Sequence, residues 1–430
     1  MTSETKFKET EIGMIPEEWK LLTLEKAMEL IIDYRGKTPK KTDYGIPLIT
    51  AKIVKNGRIL EPNEFISPED YESWMRRGLP KPGDVVITTE APMGEVAQLD
   101  ERKVALAQRL ITLRGKNGIL HNNFLRFVLQ SPNVENELKK RESGTTVTGI
   151  KQKELRKVRL PIPPYGEQIK ISEILMSLDD KIELNNQVNK TLEQIAQTLF
   201  KHWFIDFEFP DENGNPYKSS GGRMVDSELG EIPEGWEVKK IGNYLNTISK
   251  TYPLNTVSEV IFLNTGDIQN GRFLHSNKST VETLPGQAKK SIQKDDILYS
   301  EIRPENKRFA YVFFDGKEYV VSTKLMVLRP IADIDSKFLY FILTQQDIID
   351  FLQTMAESRS GTFPQITFNV LSQVEFCGPK DNKIIHMFSK SILAPFMQER
   401  YLKDEENIRL SNIRDSLLPK LMSGKIRVEC

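Results

Sequence analysis

The feature that most constrains this chain is an internal duplication, in which one set of motifs occurs twice in the same order. The matching stretches, first copy with second, are IGMIPEEW (12–19) with LGEIPEGW (229–236), GIPLITAKIVKNGRIL (45–60) with VIFLNTGDIQNGRFL (260–274), ALAQRLITLR (105–114) with VVSTKLMVLR (320–329), FLRFVLQ (124–130) with FLYFILT (338–344), and Ser-Gly-Thr at 143–145 with 360–362. A solenoid unit has about 20–50 residues, and this repeat is much longer, so each copy is one whole domain. We therefore predict two similar domains presenting two similar surfaces.

The size and composition of the chain fit this division. A chain of 430 residues is too long for one ordinary core, which indicates two or three domains. No apolar run approaches the roughly 18–20 residues of a membrane helix, and MTSETKFKETE at the N-terminus lacks the apolar core of a signal peptide. The two cysteines, Cys377 and Cys430, cannot form a disulfide framework. We expect a cytoplasmic protein.

Charge is balanced over the whole chain but segregated along it. The formal net charge is zero. Seven basic residues and only one acid, Asp43, lie between Tyr34 and Arg58, and eight basic residues with two acids lie in 139–159. Segregated charge on a neutral chain can form a positive groove of the kind that binds nucleic acid. Ordinary solvated loops are the alternative interpretation.

The order of patterns along each copy predicts a mixed fold. Each copy opens with Pro-x-x-Trp and continues with short helical and strand-like runs that suggest an α/β (α+β) domain. Each ends at prolines, in LPIPPYGEQ (160–168) and CGPKDNK (377–383), and a long helical pattern follows. We divide the chain into a first domain (1–165), a first long spacer helix (166–208), a linker (209–226), a second domain (227–380), and a second long spacer helix with a C-terminal tail (381–430).

The two long helices carry apolar stripes with the 3/4 alternation of a coiled-coil seam. Two such stripes in one chain are most simply buried against each other, which predicts an antiparallel coiled coil; a helical bundle that docks another protein is the alternative. Asn185 would be a polar seam residue that fixes register, and Pro395 would kink or interrupt the second helix. The expected seam residues are Ile171, Ile174, Leu178, Asn185, Val188, Leu192, Ile195, Leu199, Leu410, Ile413 and Leu417.

No catalytic constellation is visible in the sequence. Ile162-Pro-Pro-Tyr165 resembles the Asp/Asn/Ser-Pro-Pro-aromatic motif of base-flipping amino-methyltransferases, but the side chain of Ile162 accepts no hydrogen bond. Asp296 with Glu301 and Arg303 loosely resembles a nuclease metal site, although the first copy offers only Asp84 and Glu90. The chain has no phosphate-binding G-x-x-x-x-G-K-[ST] loop, and its four histidines are isolated. We expect no metal, no cofactor and no catalysis in this chain.

Binding remains, and polar loops at corresponding places in the two copies are the candidates. Lys, Arg, Gln and Thr side chains suit contacts with phosphates and base edges. The candidate DNA-binding residues are Arg35, Lys37, Lys40, Lys41, Gln108, Arg109, Thr145, Thr146, Lys151 and Lys153 in the first copy, and Arg303, Lys307, Arg308, Lys324, Thr362 and Gln365 in the second.

At this point the layout resembles a known family, the specificity (S) subunits of type I restriction-modification systems. The likeness spans essentially the whole chain and rests on the duplicated IGxIPxxW openings, RGKTPKKTDYGIPLI (35–49), LDDKIELNNQVNKTLEQIAQTLFKHWFIDF (178–207) and IRDSLLPKLMSGKIRV (413–428). The resemblance implies two target-recognition domains, each reading one half of a bipartite double-stranded DNA target, and an antiparallel coiled coil that sets the gap between the half-sites.

The resemblance also implies partners. Two modification (methyltransferase) subunits would dock on the helices and methylate adenine N6 in each half, and restriction subunits would add ATP-driven translocation and cleavage. S-adenosylmethionine, ATP and Mg²⁺ would belong to those partners. Because the polar loops of the two copies differ, the target should be asymmetric.

Two other classes of function stay open from the sequence alone. The first is an enzyme, a fused nuclease or methylase whose site is not recognisable as a motif. The second is a scaffold that does not bind DNA, in which the helices are the functional part and the α/β domains bind protein.

Overall fold

The computed structural model describes residues 5–34, 38–144, 148–331, 333–359 and 361–428. It divides into two compact units. The first unit is Met1–Lys181 with Leu410–Cys430, and the second unit is Ile182–Arg409. Both long helices are therefore divided between the units.

The first unit is built on a four-stranded antiparallel sheet. Its strands, in spatial order, are Met93–Gln98, Val85–Thr89, Leu110–Gly115 and Met28–Asp33. A three-stranded sheet pairs Ala105–Leu106 in parallel with Ile46–Ile49, which is antiparallel to Phe65–Ile66. The remaining strand pairs are Phe7–Thr10 with Gly13–Pro16, Lys20–Thr23 with Arg159–Ile162, and Val54–Lys55 with Arg58–Ile59. The short α-helices are Leu24–Ala27, Pro68–Trp74, Asn122–Leu129, Pro132–Lys139 and Gln152–Leu155.

The second unit repeats this arrangement. Its four-stranded sheet has the order Leu245–Ile248, Leu325–Pro330, Ile297–Ser300 and Phe309–Tyr311. A second sheet has the order Lys278–Thr280, Glu259–Leu263, Tyr319–Ser322 and Ala288–Ser291, with its middle pair parallel. The remaining strand pairs are Met224–Ser227 with Gly230–Pro233, Trp236–Lys240 with Glu375–Pro379, and Ile268–Gln269 with Arg272–Phe273. The short α-helices are Ser336–Leu343, Gln346–Arg359 and Phe368–Leu371.

Corresponding strands have the same neighbours in the two units. Each unit has one four-stranded antiparallel sheet and one small sheet with a parallel pair, and each includes a two-stranded arm with an Asn-Gly-Arg turn. The prediction of two similar α+β domains accompanied by long helices is confirmed.

The first long helix is Tyr165–Phe200, followed by a π-helical turn at Lys201–Ile205. The second helical region consists of Lys383–Phe388, a π-helical turn at Ser389–Leu393, and the helix Ala394–Met422. The π turn ends at Leu393, and Pro395 is the second residue of the last helix. The irregular turn therefore lies just before the proline, which has no N–H to continue the regular hydrogen-bond pattern.

The helices pair antiparallel within each unit. In the second unit Asn185 donates to Asn407 at 2.9 Å and Asn189 donates to Asp404 at 2.8 Å, so the residue numbers run in opposite directions. In the first unit Arg414 donates to Asp179 at 2.8 Å. The expected antiparallel pairing is present in each unit taken separately.

The composition of the seam differs from the sequence-based expectation. Ile171 and Asn185 are fully buried, and Leu178, Val188, Leu192, Leu199, Leu410 and Leu417 are partly buried. Ile174, Ile195 and Ile413 are 38%, 42% and 47% exposed, so their assignment to the seam is wrong. The second buried row of the first helix is instead Leu175, Ile182, Asn189 and Ala196. Ile195 gives a stronger apolar signal than its buried neighbour Ala196, whereas Ile174 and its buried neighbour Leu175 are both apolar and the pattern alone does not distinguish them.

None of the helices in the described part of the chain combines the length and apolar character needed to cross a bilayer.

Candidate nucleic-acid interface

In the first unit, loops that are distant in sequence meet where the strand Val85–Thr89 ends and Leu110–Gly115 begins. We name residues 38–41, 89–90, 107–109 and 148–153 the first loop cluster. The Nε atom of Arg109 lies 2.9 Å from Oε1 of Glu90, and the Thr38 hydroxyl donates to Gln108 at 3.3 Å. The Ile150 N–H donates to the main-chain oxygen of Thr89 at 2.9 Å. This end of the two central strands therefore brings together three of the segments that the sequence singled out.

The cations of this cluster are accessible. Lys40, Lys151 and Lys153 are exposed, and Lys41 forms a surface ion pair with Glu64 at 2.8 Å. Half of the Arg109 side chain is exposed, although Glu90 holds its guanidinium. An accessible cation that is already oriented by a carboxylate can meet a base edge or a phosphate with less loss of side-chain entropy.

In the second unit, residues 301–308, 323–324 and 361–366 lie together at the corresponding end of the two central strands. We name them the second loop cluster. The Nζ atom of Lys324 lies 3.5 Å from Oε2 of Glu301 and donates to Oε1 of Gln365 at 3.3 Å. The Arg303 N–H donates to the main-chain oxygen of Pro364 at 3.1 Å. The candidates Lys324 and Gln365 are thus in direct contact.

The other candidates of the second unit lie around this contact. Arg303 and Lys307 adopt left-handed backbone conformations, with φ of 44° and 52°. Arg308 is partly buried and donates to the Thr265 hydroxyl at 3.4 Å, whereas Thr362 is exposed. Of the sixteen residues proposed as DNA contacts, Arg35, Lys37, Thr145 and Thr146 lie outside the described residues.

Arg109 and Lys324 occupy the same place in the two units. Each immediately precedes a strand whose first residue pairs with the end of the neighbouring strand, Leu110 with Thr88 and Leu325 with Ser300. The carboxylates that hold these two cations come from non-equivalent positions. Glu301 follows Ser300 directly, whereas Glu90 lies two residues after Thr88. The strand arrangement around these two cations is therefore the same in both units, whereas the polar side chains beside them differ.

The acidic residues that suggested a nuclease belong to this strand arrangement. Asp84 is buried and binds Arg114 through both oxygens at 2.7 Å, and Asp296 binds Arg329 in the same way at 2.7 and 2.8 Å. The carboxylates raise the pKa of both arginines, so each guanidinium stays charged. Because both oxygens of each carboxylate accept hydrogen bonds from an arginine, we assign these aspartates a structural role and not that of a nuclease metal ligand. Among the described residues, no group of three or more His, Cys, Asp or Glu is arranged to hold a metal ion.

The segment that suggested a methyltransferase joins a strand to the first long helix. Ile162 is buried and pairs with Lys20, and Tyr165 is the first residue of the helix. The side-chain amide of Gln168 donates to the main-chain oxygen of Pro163 at 2.9 Å. That carbonyl, which would have to bind a flipped base, already has a partner inside the fold.

Sequence reasoning missed several residues at the clusters. Tyr44, which follows the first segment of the first loop cluster, is 81% exposed, and Phe363 within the second loop cluster is 72% exposed. An aromatic ring at such a place can contact bases. Lys290 donates to the main-chain oxygens of Thr323 and Leu325, at 3.0 and 2.8 Å, and so orders the segment that carries Lys324. Burial lowers the pKa of Lys290. Its role depends on contacts distant in sequence, and no local pattern indicates it.

Comparison with protein families settles which family has this fold and this repeat. The chain matches the family model of the type I restriction modification DNA specificity domain twice, over residues 16–194 and 233–394. The chain belongs to the specificity subunits of type I restriction-modification systems. The two matched stretches coincide with the two copies seen in the sequence.

Two relatives illustrate the extent of the similarity. This specificity subunit is 30% identical over 444 residues to the MjaIX specificity subunit of Methanocaldococcus jannaschii, covering 99% of this chain and 98% of that one. It is 42% identical over 183 residues to the HindI specificity subunit of Haemophilus influenzae, covering 42% of this chain and 39% of that one. A crystal structure of an S subunit from M. genitalium shares the fold, with a TM-score of 0.55 at 16% identity over 94% of this chain and 96% of that one.

Proposed function

We propose that this specificity subunit reads an asymmetric, bipartite double-stranded DNA target, with one half-site bound by each unit, and performs no catalysis itself. The observation that carries this proposal is the pair of loop clusters, in which Arg109 and Lys324 occupy equivalent places on equivalent sheets. Because the same strand arrangement occurs in both units, it supports a similar docking geometry of each unit on DNA. Carboxylates from non-equivalent positions beside the two cations support two different base sequences.

Affinity and specificity would come from different groups within each cluster. Exposed lysines such as Lys40, Lys151 and Lys153 suit phosphate contacts, which supply sequence-independent and salt-dependent affinity. Arg109 with Glu90, and Lys324 with Gln365, suit hydrogen bonds to base edges in the major groove. Affinity for any DNA should therefore fall steeply with salt, whereas discrimination should depend on a few residues.

The long helices would serve two purposes. As the spacer between the two recognition units, they would set the number of base pairs between the half-sites. They would also dock two modification subunits, which would methylate an adenine at N6 in each half of the target. Apolar side chains that the helices leave exposed, namely Ile174, Leu184, Ile195, Leu402 and Ile413, are suited to such a contact.

The remaining chemistry would belong to partners in a cytoplasmic complex. S-adenosylmethionine would be bound by the modification subunits, and ATP and Mg²⁺ would be used by restriction subunits during translocation and cleavage. This chain would contribute the recognition of sequence and the arrangement of the partners.

The test is a map of N6-methyladenine in cells that express the matching modification subunit with and without this chain. We expect one gapped, asymmetric motif that is methylated only when the chain is present. Co-purification of the two proteins without any chain-dependent motif would contradict sequence reading and favour a scaffold that does not recognise DNA.

A further inference from the structure

The Asn-Gly-Arg triplet that marks the duplication forms the tip of a two-stranded arm in each unit. Its Asn and Gly are left-handed in both copies, with φ of 51° and 79° at Asn56 and Gly57 and of 46° and 81° at Asn270 and Gly271. Two consecutive left-handed residues form the tight hairpin turn that matches the twist of its strands. The arginine that follows the turn points at a long helix in each unit.

In the first unit the arm and two further elements converge on one aspartate of the first long helix. Arg58 donates to the main-chain oxygen of Asp179 at 3.1 Å. One oxygen of the Asp179 carboxylate accepts from Arg126, which lies on the helix Asn122–Leu129 of the α/β body. The other oxygen accepts from Arg414 of the last helix at 2.8 Å. The α/β body and both helices of this unit are thus connected through a single buried carboxylate.

In the second unit Asp404 of the last helix has the equivalent place. One of its oxygens lies 3.2 Å from Nε of Arg272, the arginine of the second arm, and accepts from Asn189 of the first long helix at 2.8 Å. Arg400, one helical turn earlier, donates to the main-chain oxygen of Asn270. The arm, the last helix and the first long helix again meet at one carboxylate.

The turn of each arm lies close to neighbouring side chains. A side chain at Gly271 would place its Cβ 2.7 Å from the Tyr340 hydroxyl and 3.1 Å from the Arg400 guanidinium. At Gly57 the corresponding distance to the Arg126 guanidinium is 3.2 Å. The turn of the second arm is therefore packed against Tyr340 and Arg400, and the turn of the first arm against Arg126.

We infer that Asp179 and Asp404 are positioning residues, each fixing the seat of its own α/β body on its own segment of the helix pair. Apolar contacts tolerate small shifts along a helix, whereas a carboxylate on one helix that is held by partners from two other elements accepts only one register. The inference rests on the proposed function, because the seat of each body would determine the exact gap between the half-sites that the complex accepts.

The experiment uses the full chain with its modification subunit and a DNA library in which the gap between the two half-sites varies. Asp179→Asn and Asp404→Asn each remove one charge with little change in volume. We expect methylation at gaps one base pair longer or shorter than the preferred one to rise by roughly tenfold relative to the preferred gap. The base sequence read in each half should not change.

Matched controls come from the same helices. Glu173→Gln and Glu399→Gln each remove a carboxylate that is at least half exposed and pairs with a lysine, Lys170 and Lys403 respectively, and should leave the gap distribution sharp. Arg414→Lys keeps the charge beside Asp179 but loses the geometry of the guanidinium. It should broaden the distribution less than Asp179→Asn, and it decides the question for the first unit should Asp179→Asn fail to fold.

The outcomes separate the inference from the proposed function. A wild-type chain that directs no gapped methylation overturns both. A sharp wild-type gap that stays equally sharp in folded Asp179→Asn and Asp404→Asn overturns the positioning role alone, and an equally sharp gap in Arg414→Lys overturns it for Asp179. A broadened gap in the two aspartate variants and not in the glutamate controls supports it.

Discussion

The buried carboxylate of Glu167 shows how strongly single residues organise the first unit. Arg427 binds its two oxygens at 2.7 and 3.1 Å, and the indole N–H of Trp19 donates to it at 3.1 Å. We expect Arg427→Met to lower the free energy of unfolding of this unit by about 3 kcal/mol, because a buried charge would lose its ionic partner. Chemical denaturation followed by tryptophan fluorescence would measure the loss.

The control for that prediction is a surface pair. Arg223 lies 3.1 Å from Glu234 with both side chains well exposed, so Arg223→Met should change the free energy of unfolding by about 0–1 kcal/mol. Equal losses in the two variants would contradict the importance assigned to burial of Glu167.

The two loop clusters give a prediction about DNA at the same scale. Arg109→Ala should weaken binding only when the first half-site is intact, and Lys324→Ala only when the second is, each by about 1–3 kcal/mol if it contacts a base. Binding of the assembled complex to duplexes with either half scrambled measures this dependence. Losses that persist whichever half is scrambled would indicate phosphate contacts instead.

The sequence predicted the charged loops, but it did not identify the charged residues that are buried inside the fold. Arg109 and Lys324 were recognisable because accessible cations occur at matching places in a repeat. Asp179 occurs in LDDKIELN, where three charged residues in a row resemble any solvated helix face. Its burial depends on Arg126 and Arg414, which are distant in the chain, so no local pattern could distinguish it from Asp180.

At the scale of elements, the second arm supplies a test of close packing. Gly271 and Gly235 have nearly the same φ, 81° and 85°, but only the Cβ of an alanine at Gly271 would meet neighbouring atoms within 4 Å. Both substitutions by alanine should cost about 1–2 kcal/mol for the left-handed backbone. Gly271→Ala should cost about 1–3 kcal/mol more because of the overlap with Tyr340. Thermal melting compares the stability of the two variants. Equal losses of stability would show that the arm can move away from Tyr340.

The helix pair shows where periodicity predicts an element correctly and its buried face only in part. A 3/4 apolar alternation identified both long helices, and one row of the seam, including Ile171, Leu178 and Asn185, is covered as expected. The second row was misplaced by one residue. At Ala196 the apolar signal is weak and that of the neighbouring Ile195 is strong, whereas Ile174 and Leu175 are both apolar, so the pattern could not tell which of them is buried. An exposed apolar row next to a polar seam fits a surface that a partner covers.

At the scale of the whole molecule, each compact unit combines an α/β body with parts of both long helices. Leu421 and Met422 lie in the core of the first unit together with Trp19, although they are far from it in sequence. The sequence indicated two domains and two helices, but it could not indicate this division of the helices because the division depends only on long-range contacts. Lengthening the helices should therefore leave each core intact.

The spacer role predicts a specific response to such lengthening. Asn407 donates to Asn186 at 3.2 Å, which marks facing positions where both helices can be extended together, after Asn186 and before Asn407. Four extra residues add about 6 Å and, after one full turn, a net rotation of about 40°. One base pair of DNA adds about 3.4 Å and about 34°. The gap should therefore lengthen by one or two base pairs while both half-sites stay the same.

A seven-residue extension of both helices should have a different result. It preserves the seam but adds about 10 Å with a net rotation near −20°. Because no small number of base pairs gives this combination of length and rotation, methylation should weaken. Methylation mapping measures both, and an unchanged gap after the four-residue insertion would contradict the spacer role.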